Sequence, residues 1–418
     1  MDRPRLRSIA LLRAARDHTR AALLALAGIA ALAIATGRAP HEPTEENERR
    51  SAVRVHAKTE VELAAVRMIA IDEWSEHVDP EELAIDVVLD REGLAAVEDA
   101  HIEWELLVDD IDEVAAAERT RIASFDAQRP GDWFAEYHDF TAIQARLELL
   151  AAEHPELVQL SVIGGSVEGR PILALRIGGQ QPDAVPMLVN GAQHAREWIA
   201  AMVPICIADR VTSDPKLREL LATTELWVVP VVNPDGYQYS WSSDRYWRKN
   251  RREGHGVDLN RNFGVAFGGA GSSGERRSQI YRGPYAFSEP ETQALRDLVK
   301  RESIAVHIDF HAYGQLLLHP WSYTAAPAKE RDRYAAIGDK LASAIYAQHG
   351  QRYTIKAGAQ LYPAAGTMSD WVHGEGNAVS FTIELRPKGG SGFVLPPQQI
   401  RPTCDEALAA VLELRKAI

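Results

Sequence analysis

The sequence predicts an α/β protein, a mixed and mostly parallel sheet with helices on both faces, preceded by a small α+β unit. Three observations carry this. From Asp139 onward, fully apolar runs of strand length alternate with helix-length segments, the pattern of a sheet covered on both sides. The charge is unevenly divided: residues 56–118 hold three Lys/Arg against twenty Asp/Glu, residues 1–55 hold ten against six, and the formal total of −13 leaves the remainder neutral. Within the acidic stretch apolar residues still recur in structured order, which marks a folded unit and not a disordered tail.

In chain order, six arginines before position 21 precede the uncharged apolar run 21–37, with a small-x-small site at Ala33-Ile34-Ala35. That order predicts a cleaved export signal over residues 1–35. An uncleaved anchor is the alternative, because the run reaches the lower edge of the roughly 17 to 25 residues that span a bilayer. Residues 50–118 read as the acidic α+β unit. VRVHA (53–57) and AIDVVLD (84–90) alternate like strands, ELAAVRMI (62–69) and LAAVEDA (94–100) look helical, and HIEWELLV (101–108) returns to strand. Residues 119–133, with Arg119, Arg121, Arg129 and Pro130-Gly131, read as an exposed basic connection suited to proteolytic processing.

The main unit, 134–418, opens with a helix from Phe140 to His154 and the strand pair 157–164 and 172–178 around the turn SVEGR. PMLVN (186–190), ELWVVPVVN (225–233), SIAVHIDF (303–310) and AVSFTIEL (378–385) read as strands, 198–211 as a core helix and 405–417 as the closing helix. Only Cys206 and Cys404 occur, so no disulfide framework is expected, and two buried thiols are the preferred reading, one bridge the alternative. The neutral main body offers no basic footprint for nucleic acid. No internal repeat is found, and no low-complexity run apart from the alanine-rich signal.

The chemistry begins in NGAQHAREW (190–198), where an apolar strand gives way to a helix. Such junctions, at the carboxyl ends of strands, collect ligands in open α/β sheets. His194 and Glu197 have metal-ligand types and converge across three residues. A zinc site kept open for catalysis uses three protein ligands, and the strand SIAVHIDFHAY offers His307 and His311. Alternation puts both on one face, so it cannot choose; His311 lies nearer the carboxyl end, leaving His307 as a packing residue. In AVSFTIELRP, Glu384 interrupts an apolar strand. Desolvation there would raise its pKa and suit it to general-base work; a solvated Glu paired with Arg386 is the structural alternative. Finally, WRKNR (247–251) and GVDLNRNFG (256–264) place Arg248, Asn260 and Arg261 in an aperiodic, glycine-bounded stretch. Guanidinium and amide groups together make a fork for a carboxylate, although such a run is also how a solvated loop reads.

Taken together, HAREW, NPDGY (233–237), DRYWRKNR, VDLNRNFG, FHAYGQLLLHPW, SEPET (288–292) and FTIELR resemble the zinc carboxypeptidases of the carboxypeptidase A/B type, in their pro-enzyme form, from about Val53 to the C-terminus. The resemblance implies one zinc per chain held by His194, Glu197 and His311, with Asp258 orienting His194 and Glu384 activating the water. It implies that Arg248 polarises the scissile carbonyl, and that Asn260, Arg261 and Tyr362 (in QLYPAAG) grip the substrate's terminal carboxylate. Arg196, Arg245 and Tyr313 match outer subsites. Ser369 stands at the base of the side-chain pocket, with Leu361, Ala364, Thr367 and Thr382 as neighbours, a neutral lining that implies uncharged C-terminal residues. The acidic unit resembles the family's ferredoxin-like prosegment, removed after Arg119 or Arg121 by an activating protease. The expected protein is therefore a secreted or periplasmic zymogen acting on peptide or protein C-termini, without stable membrane association once the signal is cleaved. Two other readings are a zinc amidase, which would lack the carboxylate clamp, and a non-catalytic module, which would lack a ligand or the base.

Overall fold

The computed structural model describes residues 49–75, 83–125, 132–179, 181–390 and 392–418. The signal expected over 1–35 and the Arg129 and Pro130-Gly131 part of the processing connection lie outside them. The chain divides after Arg119 into two units.

The first unit runs β1 (Arg50–His56), α1 (Glu60–Ile69), β2 (Asp72–Glu73), β3 (Ala84–Asp90), α2 (Arg91–Asp99) and β4 (Glu103–Val108). This βαββαβ order makes an antiparallel sheet β2-β3-β1-β4, the ferredoxin-like arrangement. The two-residue β2 carries no alternation and is invisible in the sequence. Both helices start where a side chain can cap them: Thr59 accepts from the Glu62 amide and Asp90 from the Gly93 amide. Val53, Val55, Val66, Ile85, Val87, Leu89 and Val97 form its core. A helix α3 (Ile111–Ser124) continues through the division, so Arg119 and Arg121 sit within a helix and not in the loose connection read from their turn-rich surroundings.

The second unit runs α4 (Phe140–Glu153), β5 (Val158–Gly165), β6 (Pro171–Gly178), β7 (Val185–Gly191), α5 (Trp198–Ser213), β8 (Thr224–Val229), α6 (Pro234–Ser242), α7 (Pro290–Arg301), β9 (Val306–Ala312), β10 (Leu316–His319), α8 (Arg331–His349), β11 (Thr354–Ala357), α9 (Met368–Gly374), β12 (Val379–Leu385) and α10 (Ile400–Lys416). Single helical turns occur at Arg218–Leu221 and Gly358–Leu361. The eight strands order as β11-β10-β12-β9-β7-β8-β6-β5. The central four, β12, β9, β7 and β8, are parallel, while β10 and β6 run antiparallel to them. One face packs on α4, α5, α8 and α10 through residues such as Val189, Val203, Ile308, Phe310, Leu341, Phe381 and Val411. The other carries a smaller cluster of Leu188, Trp227 and Val229 with α7, α9 and Phe263. The sheet is thus mixed and covered on both sides.

Three expectations are corrected here. Strand β8 stops at Val229, because Asn233 turns the chain by accepting the Gly236 amide and Pro234 starts α6. The last helix begins at Ile400, five residues before the expected start; Pro402 falls in its first turn, where no amide is needed. Cys206 and Cys404 are not free thiols but a disulfide across 198 residues, formed because α5 and α10 lie side by side on one face. In the chain-entropy view, closing so long a loop contributes about 5 kcal/mol.

Candidate active site

Strand β7 delivers the first ligands. Gly191 ends it, and a Cβ there would collide with the Ala200 carbonyl oxygen, so only glycine lets the strand end approach α5 this closely. Ala192 then adopts φ +50°, which costs a non-glycine residue about 1 kcal/mol. Glu197 occupies the N-cap position of α5. Strand β9, two places along in the sheet order from β8, brings His311 alongside.

The ligand atoms of His194, Glu197 and His311 all lie within 4.8 Å of one another, and all three residues are buried. His194 Nδ1 is 2.8 Å from Glu197 Oε1; His311 Nδ1 is 3.0 Å from His194 Nδ1 and 3.1 Å from Glu197 Oε2. The outward-facing atoms are also held. His194 Nε2 meets Asp258 Oδ1 at 3.1 Å, His311 Nε2 meets Asp309 Oδ2 at 3.0 Å, and the Ala312 amide donates to Glu197 Oε2 at 3.1 Å. Two imidazole Nδ1 atoms and one carboxylate, each oriented by a second partner, are the donor set of a catalytic zinc site with a position left open. Burial opposes charge on Glu197, yet the two imidazoles overcome it and hold the carboxyl down at about 2. Burial likewise disfavours a charged His311, but Asp309 and Glu197 raise it well above the usual histidine value.

Glu384 is the registry partner of His311 on the neighbouring parallel strand β12, so both side chains leave the same face of the sheet. It is 9% exposed. Arg386, its structural alternative as a partner, is engaged by Glu406 at 3.0 Å. Asp258 serves two residues: its Oδ2 accepts from Arg248 Nη2 at 2.8 Å while Oδ1 faces His194. Burial resists ionisation of Asp258, but Arg248, His194 and Arg261 drive its pKa far down. Asn260 lies in the middle of the 3-10 turn Leu259–Arg261, its Oδ1 accepting the Met368 amide. Arg261 donates to the Gly271 carbonyl at 2.7 Å and to Tyr362 Oη at 2.9 Å. Gly271 has φ +72°, and a Cβ there would strike the Pro363 carbonyl, so this glycine is what lets the loop supply that acceptor.

A model of the "Zinc carboxypeptidase" family matches residues 143–410, well over half of the chain. This chain belongs to that family. Carboxypeptidase B of Astacus astacus is 37% identical over 291 residues, 67% of this chain and 96% of its own. Human carboxypeptidase B is 31% identical over 415 residues, 93% of this chain and 97% of its own. Mouse carboxypeptidase A1 is 34% identical over 329 residues, covering 75% and 78%. Among solved structures, thrombin activatable fibrinolysis inhibitor has a TM-score of 0.80 at 28% identity, covering 88% of this chain and 98% of its own. Carboxypeptidase A from Helicoverpa armigera reaches 0.81 at 26%, covering 90% and 98%. The protein is a zinc metallocarboxypeptidase, and carboxypeptidases act on peptide C-termini.

In this carboxypeptidase the remaining sequence-predicted residues fall into two groups. Arg196, Arg245 and Tyr313 converge on Phe393: the Arg196 guanidinium lies 4.1 Å from its ring, Tyr313 meets it edge-on at 5.1 Å, and Arg245 donates to its carbonyl at 3.0 Å. Arg245 also stacks on Trp198 at 3.7 Å. Phe393 was not legible, since it sits in a glycine-rich loop without period. Ser369, Leu361, Ala364, Thr367 and Thr382 are all buried, and Ser369 Oγ lies 3.0 Å from Ser380 Oγ. His307 is the packing residue expected, its ring held by Ser380 at 2.7 Å and Asn190 at 2.8 Å. Asp309 is the polar residue the sequence reading passed over; its signal was alternation, which put it between His307 and His311 on the same face.

Proposed function

We propose that this chain is made as a secreted zymogen whose second unit removes C-terminal residues from peptides, with Glu384 as general base and an uncharged preference at the chain end. The observation that carries the catalytic assignment is the registry of Glu384 with His311. A zinc ion held by His194, Glu197 and His311 supplies Lewis-acid polarisation of a carbonyl and a water of lowered pKa. Glu384 takes a proton from the water that attacks the scissile carbonyl carbon and returns it to the leaving amine as the C–N bond breaks. Arg248, held by Asp258, is the guanidinium for the developing oxyanion. Asn260, Arg261 and Tyr362 form the clamp for the terminal carboxylate, and the Arg261 to Tyr362 hydrogen bond supports grouping them. That clamp argues against the amidase reading.

The matched relatives carry both names, B and A1, so side-chain preference has to come from the pocket. None of its five matched positions is ionisable. The neighbouring acid, Asp370, accepts the Ser322 and Tyr323 amides instead of facing a substrate cation. Burial pushes its pKa up to about 7 despite those donors. Export is supported by the basic and apolar order of residues 1–37 and by the buried disulfide, which persists in oxidising compartments. No helix among the described residues is long and apolar enough to cross a membrane. A zymogen with an activating protease is supported by the folded acidic unit that precedes the family match.

The test is mass spectrometry of a defined peptide set incubated with trimmed and untrimmed chain, with and without chelator. Stepwise loss of C-terminal Leu or Phe that the chelator stops, and that trimming accelerates, is expected. Faster loss of Lys or Arg would defeat the preference; equal rates before and after trimming would defeat the zymogen.

A further inference from the structure

Behind the three ligands lies a continuous buried polar seam. From His311 Nε2 it passes to Asp309 Oδ2 at 3.0 Å; Gln193 Nε2 donates to that same oxygen at 2.6 Å, and Asn190 Nδ2 donates to Asp309 Oδ1 at 2.7 Å. Asn190 Oδ1 then meets His307 Nε2, and His307 Nδ1 meets Ser380 Oγ. Asp309 is wholly buried, and among the described residues no Arg or Lys pairs with it. A buried carboxyl group is costly unless its oxygens are satisfied, and here each accepts an amide hydrogen while one also meets the His311 ring. The other carboxylate behind the ligands, Asp258, differs, because Arg248 neutralises it at 2.8 Å.

The contacts of Asp309 fix the proton. An acceptor-only group 3.0 Å from Nε2 requires the hydrogen there, which leaves the Nδ1 lone pair to face the ligand cluster. The Asn260 amide, 3.4 Å from the same Nε2, is a donor and cannot do this.

We propose that Asp309 is a positioning residue of the metal centre: through His311 Nε2 it selects the metal-binding tautomer of His311, while Gln193 and Asn190 hold it in place. This rests on the zinc-holding role of His194, Glu197 and His311. The carboxylate that orients His194 is part of the resemblance; one acting on His311 is a separate reading of this chain.

The experiment measures zinc affinity of the full chain, stripped of metal, by competition with a chromophoric chelator. Asp309→Asn is expected to weaken zinc by about 10- to 100-fold. Asp309→Thr, whose β-branched side chain suits a strand interior, gives a second variant without the carboxylate and the same expected loss. Ser380→Ala, three contacts away along the seam, is expected to lower the melting temperature of the metal-free protein and leave zinc affinity within about threefold. If either Asp309 variant that folds binds zinc within about threefold of the parent, or Ser380→Ala loses as much as they do, the role is structural and the proposal falls. A parent chain that retains no zinc would overturn the reading beneath it as well.

Discussion

Strands β9 and β12 are buried almost throughout, yet their two faces have opposite chemistry. One face presents Val306, Ile308, Phe310 and Ala312 beside Phe381, Ile383 and Leu385, all in the large apolar cluster. The other presents His307, Asp309 and His311 beside Ser380, Thr382 and Glu384. Apolar burial on the first face stabilises without direction. On the second, each polar group must find a partner or lose on the order of 1 to 3 kcal/mol, so the partners fix one another's positions. The same two strands thus stabilise the fold through one side and hold the chemistry in place through the other.

The largest test of that division is Glu384→Gln. It keeps the shape and removes the proposed base, so kcat should fall about 10²- to 10⁴-fold with zinc content unchanged. Steady-state kinetics with metal analysis checks this, and a variant that loses zinc in proportion to activity would make Glu384 a ligand and not a base. Phe310→Ala, next to His311 but on the apolar face, should cost about 3 to 5 kcal/mol of stability. Denaturant unfolding measures the loss. Active-site titration should show kcat per folded molecule little changed; a large fall would mean that the faces are not separable.

His307 is the sharper case, a polar-face residue expected to matter for stability. Burial pushes its pKa down to about 4, against the upward pull of Asp309. Above pH 6.5 neither state holds the proton, and the effect is absent. As pH falls from 6.5 towards 4 the unfolded chain takes a proton that the folded one refuses, so stability falls, by about 3 kcal/mol in full. His307→Gln should flatten that part of the stability curve in urea unfolding at stepped pH. An unchanged slope would assign the acid sensitivity elsewhere.

How much of this could be read in advance follows from the same two faces. Alternation exposed Glu384 and the two histidines because each breaks an apolar strand, and the strand-to-helix junction marked His194 and Glu197. Choosing His311 over His307 needed only its place near the strand's carboxyl end. Asp309 carried an equal signal, but its meaning depends on Asn190 near the end of β7 and Gln193 in the turn after it, the latter 116 residues away. The disulfide failed to appear for a similar reason: nothing local to Cys206 or Cys404 says that α5 and α10 are neighbours. Phe393 has no periodicity at all, and Arg119 and Arg121 read as a connection because Pro130-Gly131 follows, although the helix continues to Ser124.

The smallest expected effect lies where the polar seam reaches the side-chain pocket. Ser369 Oγ touches Ser380 Oγ, and Ser380 in turn holds His307. Ser369→Asp would place a carboxylate at the buried, neutral position proposed for the pocket base, where it gains most when a substrate guanidinium or ammonium pairs with it. Competition between peptides ending in Arg and in Leu should shift towards Arg by about tenfold, equivalent to ~1.4 kcal/mol. The gain is modest because the new charge must also be desolvated when the pocket is empty. It is further reduced because the substitution disturbs a hydroxyl pair tied to the seam behind the metal ligands. If the ratio moved without any loss of stability, the pocket base and the seam would be independent, and the polar face would be two sites and not one.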